Sequence, residues 1–207
     1  MDLQFRYAIT EVNKHIDYPR NIRFRTMHSH STFQLVYCTD GIVKIAMLAG
    51  EHEIKAGEAI FLNSNVVHQD IVSTEGAYYS FNFSKELVSF GKNLPTEVLL
   101  NEFAENPGCP CYIFDEKYPW MRKILFDCEK LIELEKNKTD TYYYEVLHLL
   151  TGIMLQMLKN LSIPQNMVRN HDEERMQKVL TFIEEHYSEN ITLARMALAA
   201  NSVMSEL

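Results

Sequence analysis

The chain has 207 residues, 46% hydrophobic and 23% charged, with a formal net charge of -8 at pH 7. Such a composition excludes a disordered polymer and suffices for one or two domains with a sizeable core. Nucleic-acid affinity rests largely on Lys and Arg against phosphate, so an excess of 28 acids over 20 bases argues against tight DNA binding by this chain on its own.

Residues 1–10 alternate polar and apolar side chains like a strand, not like a charged-then-apolar secretion signal. The most apolar region, residues 146–161, is interrupted by His148, Gln156 and Lys159, too short and too polar to span a bilayer. A cytoplasmic location and no membrane partner are expected. Cys38, Cys109, Cys111 and Cys128 form neither a disulfide framework nor a paired zinc motif, and are read as reduced thiols.

From Leu3 to Phe83 short alternating runs are separated by turn residues. Residues 36–37, 42–48, 59–62, 66–72 and 78–83 are rich in β-branched and aromatic side chains, with Asp40-Gly41, Ala49-Gly50 and Lys55-Ala56-Gly57 between them. Many short strands at close spacing predict a barrel or sandwich. Inside them His28, His30, Gln34 and Gly41 spell H-x-H-x3-Q-x6-G, and Gly57 with His68 spells G-x10-H. Residues two apart on a strand share a face, so His28 and His30 project together and Gln34 shares their parity if the strand is unbroken.

The two motifs resemble those of the cupins, small jelly-roll-like barrels in which two His, a Glu and a later His point inward at a metal. The match departs at Gln34, which replaces the Glu, at Asn63 and Asn65, where the second motif has Pro and Gly, and at Val72, which stands for an Asn. A neutral amide is a poorer ligand for a hard cation than a carboxylate, yet three imidazoles can hold zinc, nickel or iron. The expectation is no obligatory cofactor, with His28, His30 and His68 as the place for a divalent metal if there is one. Otherwise these residues are hydrogen-bonded side chains at the barrel mouth, or grip an effector.

After Pro119, Trp120, Ile124, Leu125, Cys128, Leu131 and Ile132 make one helical face, and residues 137–140 are a polar break. The next helix carries Tyr143, Leu147, Leu150, Met154, Met157 and Leu161 in steps of four and three, the rhythm of a coiled-coil seam. Val146, Leu149 and Ile153 add apolar surface beyond what one partner helix covers, so this helix is expected to pack against its own neighbour on one side and something else on another, which the family resemblance given below implies is a second copy in a homodimer. Pro164, Gln165, Asn166 and Asn170 have linker composition.

Asp172-Glu173-Glu174 reads as a helix start, and Met176, Val179, Leu180, Ile183 and Tyr187 as its buried stripe. Thr192 can cap a second short helix with Leu193, Met196, Ala197 and Ala200. A turn at Asn201-Ser202 and the start of a third helix at Met204-Ser205 complete a helix-turn-helix pattern.

Residues 179–197, V-L-T-F-I-E-E-H-Y-S-E-N-I-T-L-A-R-M-A, resemble the opening of the DNA-binding domain of AraC-type (arabinose-regulator type) transcription factors. A cupin-like barrel followed by helices is also the order found in that family. The resemblance implies an α+β chain: a cupin-like antiparallel β-barrel that senses an effector (1–115), an antiparallel helix pair for dimerisation (116–163), a linker (164–171) and the start of a helix-turn-helix domain that stops short of completion (172–207). No base-contacting residues are assigned.

The expected function is a ligand-responsive transcription regulator, not an enzyme, whose intact form binds a DNA operator. A small molecule, a sugar by family resemblance, would enter at His28, His30, Gln34 and His68, with Phe33, Tyr79 and Phe81 as aromatic walls. The alternative is a metal-dependent cupin enzyme, an isomerase or dioxygenase, for which no general base is evident near the His cluster. An inert barrel on a helical scaffold is a third, weaker reading.

Overall fold

The computed structural model describes residues 7–12, 27–72, 76–161 and 171–200. Eight strands and six helices follow in the order β1 (Tyr7–Val12), β2 (Phe33–Asp40), β3 (Ile42–Met47), β4 (Gly50–Lys55), β5 (Ala59–Leu62), β6 (His68–Val72), β7 (Ala77–Phe83), α1 (Lys85–Ser89), α2 (Pro95–Ala104), β8 (Cys111–Phe114), α3 (Pro119–Lys136), α4 (Tyr142–Asn160), α5 (His171–His186) and α6 (Leu193–Ala199). The chain is α+β, as expected. Its strands form a five-stranded sheet, β1-β7-β2-β5-β8, and a three-stranded sheet, β4-β3-β6. Every pairing is antiparallel. The expected barrel is therefore two facing sheets and is not closed by hydrogen bonds among the described residues.

Strand alternation divides the core in two. On β2, Val36 and Cys38 face the smaller sheet with Ile60, Leu62 and Tyr78, and meet Val43, Ile45, Met47 and Ile54 there. The odd-numbered neighbours Phe33, Leu35 and Tyr37 face the other way, with Phe61, Tyr79, Phe81 and Phe83, onto the helices. Because both faces of the central strands are covered, β2 and β5 read as near-continuous apolar runs.

Helices α3 and α4 form an antiparallel pair whose inner face buries Ile124, Leu125, Cys128, Leu131, Val146, Leu150, Ile153, Met154 and Met157 against the outer face of the five-stranded sheet. Each such side chain contributes roughly 1.5–3 kcal/mol on burial. The predicted seam was Tyr143, Leu147, Leu150, Met154, Met157 and Leu161. Leu150, Met154 and Met157 are instead buried within this chain, while Tyr143 is exposed. Leu147 and Leu161 are half-buried. The sheet supplies the apolar partner that the heptad rhythm had assigned to a second subunit.

The strand β4, the short helices α1 and α2 and the strand β8 had no counterpart in the sequence reading. Helix α2 starts on Pro95, whose fixed φ suits a first helical turn, and buries Leu100, Phe103 and Ala104. It packs Phe103 against Phe33 and Phe61, at ring centroid distances of 6.2 and 5.8 Å.

Helix α6 is capped as expected: Thr192 Oγ1 accepts from Arg195 N at 3.3 Å. On α5 the expected buried stripe is only partly covered, with Met176 and Tyr187 exposed and Val179, Leu180 and Ile183 half-buried. The expected linker lies outside the described residues except His171, which opens α5, and so do the turn at 201–202 and the third helix at 204–205.

Candidate functional site

At one end of the space between the sheets the apolar filling gives way to a polar cluster. The segment before β2 is pinned to the start of β6 by a reciprocal pair of backbone bonds, each 2.9 Å, between His28 and His68. Asn65 N donates to His30 O at 2.8 Å, which fixes the third imidazole. The ring centroids lie 4.4 Å apart for His28 and His68, 5.1 Å for His30 and His68 and 5.8 Å for His28 and His30. One ligand nitrogen from each ring lies within 4.8 Å of the others.

Two departures from the cupin motif have local explanations. Asn65 has φ 61°, the left-handed conformation that a Gly would adopt freely and that Asn tolerates better than other side chains. Asn63 ties the end of β5 to the loop before β8: its Nδ2 donates to Phe103 O at 2.9 Å and Cys109 O at 3.0 Å, while its Oδ1 accepts from Ser64 N. The turn that presents His68 is thus held from both ends.

His68 is 1% exposed. Its Nδ1 contacts Val66 O at 2.9 Å, which places the proton there and leaves a lone pair on Nε2. That buried Nε2 has no hydrogen-bond partner among the described residues. Burial, and next the charge of His28, pull its pKa down to about 3, so the ring is neutral at ordinary pH.

Gln34 joins the cluster although the run from His28 is not one unbroken strand, since a bend at residues 31–32 precedes β2. Its amide nitrogen donates to Asp70 Oδ2 at 3.1 Å and to Ser80 Oγ at 3.0 Å. Those two acceptors decide which way round the amide sits, so Oε1 is turned to His30 Nε2, 3.1 Å away. Thr32 offers both its carbonyl, 3.0 Å, and its hydroxyl, 2.9 Å, to His30 Nδ1, so the ring can carry its proton on either nitrogen.

Asp70 is the member that sequence reasoning missed. It lies two residues after His68 on β6 and so shares its inward face, a parity signal that was there to be read. Tyr78 also donates to its Oδ2, at 3.4 Å. Its Oδ1 is buried without a hydrogen-bond partner. Burial raises its pKa, against the lowering influence of His28, Gln34, His30 and Tyr78.

The remaining site residues are corrected. Phe33, Tyr79 and Phe81 do not wall this cluster: they are buried on the opposite face of the five-stranded sheet, in the helix-covered core. Phe33 alternates with Gln34 on β2, and Phe81 and Tyr79 pair with Leu35 and Tyr37, so all three lie on the face opposite Gln34.

A second recess, about 670 Å³, lies on the outer side of the α3–α4 pair, where Lys130, Glu133, Leu134, Tyr144, Glu145, His148 and Leu149 line it. Phe126, Tyr143, Tyr144 and Leu155 are exposed on these two helices. The four cysteines are free. Burial pushes the Cys111 thiol up to about 11, away from nucleophilic use. No helix among the described residues is long and apolar enough to cross a membrane.

The two-sheet unit with its inward polar cluster, and much of the chain beyond it, are similar to AraC-type regulators. Residues 14–90 match the family model described as the AraC-like ligand binding domain. Over 186 residues the chain is 26% identical to the uncharacterized HTH-type transcriptional regulator YdeC of Bacillus subtilis (strain 168). The match covers 87% of this chain and 62% of that protein, so the chain spans about three fifths of its relative's length.

Among solved structures, the AraC-like transcriptional activator CuxR aligns with a TM-score of 0.49 at 10% identity, covering 98% of this chain and 65% of the other. ToxT from Vibrio cholerae aligns with a TM-score of 0.48 at 13% identity, covering 95% and 71%. The expected resemblance to AraC-type regulators is borne out by the family model and by this relative.

Proposed function

We propose that this chain is the effector-sensing and dimerising part of a ligand-responsive transcription regulator, with a DNA-reading domain that begins at α5. The observation that carries the reading is the polar cluster of half-buried His28 and His30 with buried Gln34, His68 and Asp70 at the end of an otherwise apolar inter-sheet core, in a domain matched to AraC-like ligand binding. A fold that needed only stability would fill this space with apolar side chains, since buried polar groups cost free energy unless fully paired. His68 Nε2 and Asp70 Oδ1 are not paired.

The effector is small and polar. Sugars remain the first class to test, but the contact is by hydrogen bonds from the imidazoles and Gln34 and not by stacking on Phe33, Tyr79 or Phe81. Binding there reorganises the segment before β2 and the β5–β6 turn, and so changes the balance of states available to the dimer. The dimer face is the outer side of α3–α4 around Tyr144, His148, Leu149 and Leu155, the surface left after the inner seam is consumed by the sheet. DNA binding by the intact protein resides in the helix-turn-helix that α5 and α6 open.

The enzyme alternative is disfavoured by Asp70, the one carboxylate in the cluster. It is buried and engaged by Gln34 and Tyr78, so it is not placed to shuttle protons to a substrate.

A thermal-shift screen of sugars, hydroxy acids and amphiphilic carboxylates tests the reading. A ligand that binds only the native state raises the melting temperature with its concentration. At least one class is expected to do so in the wild type and not in Gln34→Leu. A shift preserved in that variant would remove the cluster from the effector site.

A further inference from the structure

Given the sensing role proposed above, on which this step rests, we infer that the effector carries a protonated amine or guanidine, a compact cationic N–H donor held by His68 Nε2 and Asp70 Oδ1. That narrows the ligand from small polar molecules to small organic cations.

The hydrogen bonds within the cluster determine what it lacks. His30 is satisfied in the tautomer that donates from Nε2 to Gln34 Oε1 at 3.1 Å and accepts at Nδ1 from the Thr32 hydroxyl at 2.9 Å. Both amide hydrogens of Gln34 go to Asp70 Oδ2 and Ser80 Oγ. Two buried atoms of the cluster are left without a partner among the described residues, His68 Nε2 and Asp70 Oδ1. Their side chains are 1% and 5% exposed. The cluster meets solvent at His28 and His30, which are half-buried and lie against His68 at ring centroid distances of 4.4 and 5.1 Å, so a head group reaches the two atoms past these rings.

Both open atoms are acceptors. The Val66 carbonyl, 2.9 Å from Nδ1, holds the His68 proton there and leaves a lone pair on Nε2, and an ionised carboxylate oxygen only accepts. Residues 68 and 70 share the inward face of β6, about 7 Å apart along the strand, so the two acceptors serve one bound group. That group is a donor with more than one hydrogen. Carboxylates and phosphates are excluded, because they bring further acceptors and are repelled by Asp70.

Charge separates a cation from a neutral alcohol. Asp70 is the one carboxylate of the cluster, its partners there are an amide and a phenol, and no ion pair among the described residues includes it. Donation from Gln34 and Tyr78 to the same oxygen favours the ionised form, yet a buried charge is ordinarily paired with an opposite one. An ammonium or guanidinium supplies both the missing hydrogens and the missing charge, and a charge-assisted hydrogen bond is roughly twice as strong as a neutral one. An alcohol supplies the hydrogens alone.

The test uses the whole 207-residue chain at neutral pH and matched ionic strength, read by melting temperature and by titration calorimetry. Ligands are paired so that charge is the main difference: ethanolamine against ethylene glycol, glucosamine against glucose, methylguanidine against methylurea, with propionate as the anion. At least one cation is expected to raise the melting temperature, at a concentration at least about tenfold below that needed of its neutral partner or of propionate. The amine and guanidine arms tell the two head groups apart. Asp70→Asn keeps an oxygen for Gln34 and Tyr78 but turns an N–H toward the ligand. It should weaken the cation by about 10–100-fold and, without ligand, melt no lower than the wild type, because an unpaired buried charge is gone.

The paired ligands on the wild type need no variant, so they decide the matter even if Asp70→Asn does not fold. Neutral partners or propionate that bind as tightly as the cations overturn the inference and leave the sensing reading intact. A cation with unchanged affinity in Asp70→Asn also overturns it, since that cation would sit elsewhere. A chain that responds at millimolar concentration to none of the cations, sugars or anions overturns this inference and the sensing reading with it.

Discussion

At the scale of the residue, Gln34 is the joint of the cluster: its one side chain reaches His30, Asp70 and Ser80. Truncation leaves buried Asp70 Oδ2 with only the longer bond from Tyr78 and the Ser80 hydroxyl with only Asn82, and loss of a partner at a buried polar group costs about 1–3 kcal/mol. Gln34→Ala is expected to lose about 2 kcal/mol or more in urea unfolding without added ligand. A loss below about 0.5 kcal/mol would mean that water satisfies these groups and the network is not structural.

Tyrosines give a second residue-scale expectation. Burial, then the hydrogen bond to Glu11 and its charge, push Tyr79 up to about 12. Burial likewise raises Tyr37, whose hydroxyl donates to Glu129 at 2.8 Å, and Tyr142, whose hydroxyl donates to Glu135 at 2.5 Å. A group whose folded pKa lies above its unfolded value holds its proton longer in the native state. Its stabilisation is complete below the ordinary tyrosine value near 10 and is lost as pH rises through the folded value. Between pH 10 and 12 stability should fall with each unit, by less than about 1.4 kcal/mol for Tyr79, because its partner Glu11 is exposed and screened by solvent. Denaturation midpoints measured across that range should fall steeply, and less steeply in Tyr79→Phe; equal slopes would remove Tyr79 as a contributor.

At the scale of the element, the α3–α4 pair shows what a helical pattern contains and what it omits. The steps of four and three correctly marked one apolar face of α4, and Leu150, Met154 and Met157 are buried on it. Periodicity says that a face is covered, not by what. Met154→Ala should therefore destabilise the fold itself by about 2–5 kcal/mol, read from thermal or urea unfolding, as for any large core deletion. An unfolding midpoint that moved only with protein concentration would return this face to a subunit interface.

The His motif shows the same division between pattern and context. His28, His30 and Gln34 meet His68 on one side, across a bend at residues 31–32. Parity sends Phe33 to the opposite face of β2, and the register that pairs Phe81 with Leu35 and Tyr79 with Tyr37 sends those two with it, a cross-strand relation that the sequence pattern does not display. Asp70 was legible by the rule that served for His28 and His30. The elements α1 and β8 were not: five and four residues are too few for a periodic signal, and what holds them is packing against the sheet and α4.

At the scale of the whole molecule, the face left open by this packing is the outer side of the helix pair, with Tyr144 81% exposed and Phe126 and Leu155 beside it in the exposed apolar set. Large apolar side chains gathered on one face of a stable unit mark an interaction surface. Light scattering at micromolar concentration is expected to show a dimer for the wild type and a monomer for the double variant Tyr144→Ser with Leu155→Ser, with little change in melting temperature of the monomeric variant. A wild-type monomer would sink the dimer, and an intact dimer in the double variant would move its interface elsewhere.

By itself the sequence determined the local and periodic features: short strands with turns between them, two long amphipathic helices, a capped short helix after them, and imidazoles sharing a strand face. These follow from backbone geometry and side-chain period, which need no knowledge of neighbours. Only the tertiary structure decided which apolar face meets which, that the sheets oppose each other without closing, and that Asp70 stands behind Gln34 at the His cluster. Those are relations between residues dozens of positions apart, and they are settled by which surfaces exclude water together, a property of the assembled chain that no local pattern encodes.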